Sequence, residues 1–165
     1  MRKLLLYGLT ICGFGLFLSS CMPKDDNIYN GPSVVEFKNH LLGKVNLPSG
    51  VSGNGELSRT ESVNTRGTDT IYVQLVGPQR PNPIDIGFAV NGTSTAVEGT
   101  HYKFKPAGAR KVTIPANSSV GYILIDLVPG SVAAGATFPL SLSLTGTDDV
   151  KPSANYKNFV LTLSN

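Results

Sequence analysis

The chain has no tryptophan, two cysteines and two histidines in 165 residues, and only 15% of its side chains are charged. Each scarcity closes a class of function. Both cysteines, Cys12 and Cys21, fall in the first 21 residues. The remainder therefore holds no thiol for a disulfide framework, a zinc cluster or a nucleophile. His40 and His101 stand apart, with no Gly-x-Ser-x-Gly turn near either and no further ligands at metal spacing. Glycoside cleavage needs two carboxylates flanking a cleft, and the 11 acidic residues include no distinctive pair. The net charge of +3 is not gathered into a basic stripe, which argues against nucleic acid as a partner. No enzyme, metal site or cofactor is expected.

Long apolar runs are also missing. The longest, from Leu4 to Leu18, falls short of the roughly 20 residues needed to cross a bilayer. It follows Arg2 and Lys3 and stops at Leu18-Ser19-Ser20-Cys21, where two small side chains precede the cysteine. This reads as a lipoprotein signal peptide over residues 1–20, cut before Cys21, whose thiol is then acylated. Several acyl chains on one residue anchor a protein firmly to a membrane. Loss of Arg2 and Lys3 brings the 14 basic residues close in number to the 11 acidic ones. Residues 21–31 form a polar tether. Within it, Lys24-Asp25-Asp26 follows the acylated cysteine closely and resembles the lipoprotein export signal of Bacteroidetes. The resemblance implies a lipid-anchored protein of the outer membrane, facing the cell exterior.

What the chain has in quantity is glycine, 18 residues, and proline, 11 residues, both signs of turns. Between them lie short segments of period two. Ile71, Val73 and Leu75 alternate with Tyr72 and Gln74; Ile84, Ile86, Phe88 and Val90 alternate with Asp85, Gly87 and Ala89. Val112 and Ile114, then Ile123, Ile125 and Leu127, then Phe138 to Leu144 and Phe159 to Leu163 repeat the pattern. Pro139 suggests an edge position at a strand start. One buried face per strand predicts an all-β, antiparallel, immunoglobulin-like sandwich of about seven strands over residues 32–165. Val35 and Phe37 open it. Partial strands are expected near Leu41–Leu47 and Leu57–Val63, with a flexible glycine-rich insertion around 48–56.

The segment Thr95-Ala96-Val97-Glu98-Gly99-Thr100-His101-Tyr102, followed by Val112-Thr113-Ile114-Pro115-Ala116-Asn117, resembles the Calx-β signature. The resemblance spans roughly residues 69 to 165. It implies a Calx-β-like sandwich of the kind found as domains of unknown function on Bacteroidetes outer-membrane lipoproteins, often near starch-utilisation-type glycan importers. Some members bind calcium through an acidic residue before the tyrosine. Here that position is His101, a poor ligand for an oxygen-seeking cation, so Glu98 and Asp148-Asp149 are left as a weak set. Gly99 is expected to permit a tight turn, Tyr102 to pack its ring, and His101 to sit on the loop surface.

Two functions fit this chain. One is a structural or protein-interaction module docking on an outer-membrane assembly. The alternative is a surface glycan-binding accessory protein that holds a polysaccharide, with Tyr72 and Tyr122 on the outer strand faces as its candidate platform. Coplanar tyrosines would favour sugar, and an apolar patch on one sheet would favour docking.

Overall fold

The computed structural model describes residues 30–38 and 57–165. The expected signal segment, Cys21, Lys24-Asp25-Asp26, Tyr29, His40, the strand expected near Leu41–Leu47 and the expected glycine-rich insertion lie outside those residues. Among the described residues no helix is long and apolar enough to cross a membrane.

Ten strands follow one another: β1 (Val34–Phe37), β2 (Leu57–Ser62), β3 (Thr68–Val76), β4 (Ile84–Val90), β5 (Tyr102–Lys105), β6 (Lys111–Ile114), β7 (Val120–Leu127), β8 (Thr137–Gly146), β9 (Lys151–Pro152) and β10 (Asn158–Ser164). They form two five-stranded sheets, ordered β5-β7-β3-β1-β9 and β2-β10-β8-β4-β6. The expected all-β sandwich is the fold. It has more strands than anticipated because β5 and β9 add to the edges of the first sheet. Neighbours pair antiparallel except β1 with β9 and β2 with β10, which run parallel.

The period-two pattern explains the layering. Ile71, Val73 and Leu75 of β3 are buried, as are Ile123, Ile125 and Leu127 of β7, Leu140, Leu142 and Leu144 of β8, and Phe159, Leu161 and Leu163 of β10. Each such side chain contributes about 1.5–3 kcal/mol when fully withdrawn from water. Phe37 of β1 meets Phe159 of β10 across the interior, ring centroids 5.7 Å apart. Gly121 of β7 lets the opposite sheet approach: a Cβ there would lie 2.7 Å from Thr113 O and 2.9 Å from Val112 Cγ2 of β6.

Pro139 corrects one expectation. Its strand β8 is central, flanked by β10 and β4. The proline is tolerated because its nitrogen faces away from β10, toward the segment after β4. Thr95 and Ala96 N–H donate to Pro139 O at 2.9 and 3.1 Å, so both backbone atoms of Pro139 point to that side and no ladder bond is lost. Ser94 completes the cover, its hydroxyl accepting from Ser141 N–H at 2.8 Å and donating to Ser141 O at 3.2 Å.

Candidate functional site

The outer face of the first sheet is where the tyrosines meet. Alternation puts Tyr72 of β3 and Tyr122 of β7 on that face, and the ladder register sets them directly opposite. Their ring centroids are 5.2 Å apart, with planes at 79°. This is an edge-to-face pair, not the coplanar platform that a stacked sugar requires. Tyr122 is 54% exposed, whereas Tyr72 is half-buried. Half-buried Leu124 and Val120 flank Tyr122 along β7, while Gln74 stands opposite Val120 and separates Tyr72 from the pair Val76 and Val34. One end of the face is charged. Asp126 accepts from Thr68 Oγ1 at 2.5 Å and lies 3.7 Å from Lys105 Nζ, with Lys103 opposite it on β5.

The motif turn stands elsewhere, joining the two sheets. Thr95 and Ala96 bond to β8, and Tyr102 begins β5. Gly99 has φ +88°, a left-handed conformation that glycine adopts freely, and its N–H donates to Tyr102 O at 2.7 Å. Tyr102 is 2% exposed and packs edge-to-face on Phe104, centroids 5.3 Å apart. Burial, then the negative charge of Glu98, pushes its phenol above the usual 10.0, with Arg110 acting in the opposite direction. Glu98 is held by Arg110 Nη2 at 2.8 Å, and that guanidinium also lies over the Phe104 ring at 4.9 Å.

His101 is not on the surface. It is 7% exposed, stacks on Phe138 with centroids 4.1 Å apart, and its Nδ1 accepts from Val97 N–H at 2.9 Å. The ring fills the space beneath the turn, and the hydrogen bond satisfies its one buried acceptor. Asp148 and Asp149 lie on the exposed loop between β8 and β9. Among the described residues no three His, Cys, Asp or Glu side chains gather as a metal site.

A further charged group links the sheets. Asp69, fully buried on the inner face of β3, is bound by Arg59 Nη2 of β2 and by Arg66 Nε at 3.1 Å. Glu61 Oε1 lies 3.2 Å from Arg59 Nε. Asp69 continues the inward series of Ile71 and Val73 by one step, and that register was the available signal for it.

No protein-family model matches the chain, and no curated protein does. Solved structures do. A Bacteroides ovatus protein of unknown function is 16% identical, with a TM-score of 0.52 over 79% of this chain and 44% of its own. The calcium-binding domain CBD12 of CALX1.1 is 14% identical, with a TM-score of 0.49 over 65% of this chain and 41% of its own. Bacteroides thetaiotamicron EndoBT-3987, solved with a Man5GlcNAc product, is 12% identical, with a TM-score of 0.46 over 65% and 28%. The chain spans less than half the length of each of these structures. The likeness to the Bacteroides ovatus protein shows a shared fold and carries no activity with it.

Proposed function

We propose that the chain is a non-enzymatic envelope lipoprotein, anchored through Cys21 at the outer face of the outer membrane. It docks there on a membrane protein assembly through the outer face of the β5-β7-β3-β1-β9 sheet. The observation that carries this reading is the apolar surface centred on Tyr122, more than half exposed and continued by Leu124, Val120 and Tyr72. Exposed apolar patches rimmed by polar groups are typical of protein contact surfaces. Charged Lys103, Lys105 and Asp126 supply such a rim at one end.

A photo-cross-linking residue at position 122 in intact cells tests the reading. Docking predicts one dominant adduct with an outer-membrane protein, absent when the residue is placed at 113 on the other sheet. Equal, diffuse labelling from both positions would sink it. Glycan binding rests on one observation, the single open ring of Tyr122. Affinity electrophoresis that shows retardation by one polysaccharide class, lost in Tyr122→Ala, would favour that alternative. Protease shaving of cells tests the location, since a fully protected domain contradicts an outward-facing one.

A further inference from the structure

Among the described residues four strands border the two sheets: β5, β9, β2 and β6. Three are closed to further pairing. Strand β9 is two residues long and ends in Pro152. Strand β5 carries exposed Lys103 and Lys105 in a four-residue run, a common means of blunting an edge. Strand β6 turns against Gly121 of the opposite sheet. Strand β2 differs. It is the longest of the four, and its outward side chains are Ser58, Thr60 and Ser62, without lysine or proline.

The free side of β2 follows from its bonded side. Val63 N–H donates to Ser164 O of β10, and Ser164 Oγ donates to Glu61 O. Odd-numbered residues thus address β10, and Ser58, Thr60 and Ser62 direct their backbone groups outward. Ser62 O also accepts from Arg66 N–H at 3.1 Å, which leaves Thr60 as the centre of an edge that no described residue covers.

Turned end for end about Thr60, the segment Leu57-Ser58-Arg59-Thr60-Glu61-Ser62-Val63 matches itself. Thr60 meets Thr60, Ser58 meets Ser62, Arg59 meets Glu61 and Leu57 meets Val63. The outward-bonding residues fall opposite one another, as the hydrogen-bonded pairs of an antiparallel ladder require. Arg59 and Glu61 fall on the closer, non-hydrogen-bonded pairs, where opposite charges attract. Within one chain Arg59 Nη2 is taken by Asp69 and Arg66 Nε lies 3.9 Å from Glu61, yet Arg59 Nε is buried without a hydrogen bond among the described residues, despite Glu61 at 3.2 Å. Inward charges on an edge repel most strands. They select a partner that brings Glu opposite Arg59 and Arg opposite Glu61, which a second copy does.

We propose that the edge of β2, unpaired among the described residues, binds β2 of a second copy of this chain. The two strands pair antiparallel about a twofold axis at Thr60 and join two five-stranded sheets into one. Such an isologous contact closes on itself as a dimer. It uses a different face from the Tyr122 surface and stands or falls separately.

The test uses the full chain in detergent, with Cys12→Ser and Cys21→Ser so that an introduced thiol is unique. In a hydrogen-bonded antiparallel pair the Cα atoms are about 5.5 Å apart, within disulfide reach. Thr60→Cys is expected to form disulfide dimers on mild oxidation about tenfold faster than Ser58→Cys, whose own copy would lie four residues away, roughly 14 Å. Mixing Ser58→Cys with Ser62→Cys should restore rapid linking. Thr60→Pro removes the outward N–H and spares the β10 ladder, so it should sediment as a monomer where the unsubstituted chain sediments as a dimer. A monomeric unsubstituted chain, or equal linking rates at 58, 60 and 62, overturns the proposal.

Discussion

Arg59, on an edge strand of one sheet, reaches through the sandwich to hold Asp69, a fully buried carboxylate on the other. The pair fixes the two layers in register at that end, with Arg66 as a second cation. Removing one partner of a buried ion pair strands the other charge. Asp69→Ala is expected to lower stability by about 3–5 kcal/mol in urea unfolding. Arg59→Met combined with Asp69→Leu should regain most of that loss, because apolar replacements of similar volume remove both desolvation costs. A double variant no more stable than Asp69→Ala would count against this account.

Gly121 makes a second, purely steric prediction. A methyl group at this position meets the carbonyl of Thr113 and the side chain of Val112. Backbone cannot step aside cheaply, so Gly121→Ala should cost about 1–3 kcal/mol by overpacking. Thermal unfolding would show the loss, whereas Gly92→Ala, where nothing lies within 4 Å of the added carbon, serves as the neutral comparison.

His101 predicts the behaviour of the motif turn. Its ring packs on Phe138 and its Nδ1 takes the Val97 N–H. His101→Ala leaves that N–H without its partner, a change worth about 1–3 kcal/mol. Hydrogen exchange at Val97 should accelerate more than exchange in β1, which among the described strands pairs only with β3 and β9. Uniform acceleration would reduce the effect to global destabilisation.

Tyr102 gives the pH dependence. Its phenol is raised by burial and by Glu98, so the folded state keeps the proton to higher pH than the unfolded chain. The contribution is fully present below the unfolded tyrosine value of about 10 and is lost as pH rises through the folded one. Stability should therefore fall in alkaline solution, and Tyr102→Phe should flatten that fall. Glu98→Gln should shift the tyrosinate absorbance of Tyr102 toward lower pH. An unchanged titration would remove Glu98 as a cause.

The strands with strict alternation were legible in the sequence, and β3, β4, β7, β8 and β10 lie where the apolar residues pointed. Strand β5 was hidden by its own motif. Tyr102 closes the Calx-β-like turn, and Tyr102-Lys103-Phe104-Lys105 alternates for only four residues before Pro106. Strand β9 is too short to show any period. The parallel pairings of β2 with β10 and of β9 with β1 were not legible, because each joins segments remote in sequence with no turn to announce it. Alternation put Tyr72 and Tyr122 on outer strand faces, but it sets neither the sheet that the two share nor the angle between their rings. For His101, neighbouring glycine and threonine suggested an exposed loop, and the decisive partner, Phe138, is distant along the chain.

The hydroxyl of Ser94 has a consequence for solubility. It stands where a neighbouring strand would otherwise bond to Ser141, beside the apolar run Phe138-Pro139-Leu140. The loop thereby covers the middle of the sheet, with the N–H groups of Asn91, Thr95 and Ala96 bonded to the same strand beside that hydroxyl. Changes that shorten residues 91–96 would open an unpaired stretch of this central strand to other chains, so the loop acts as a guard against aggregation even where its loss leaves the rest of the sandwich folded.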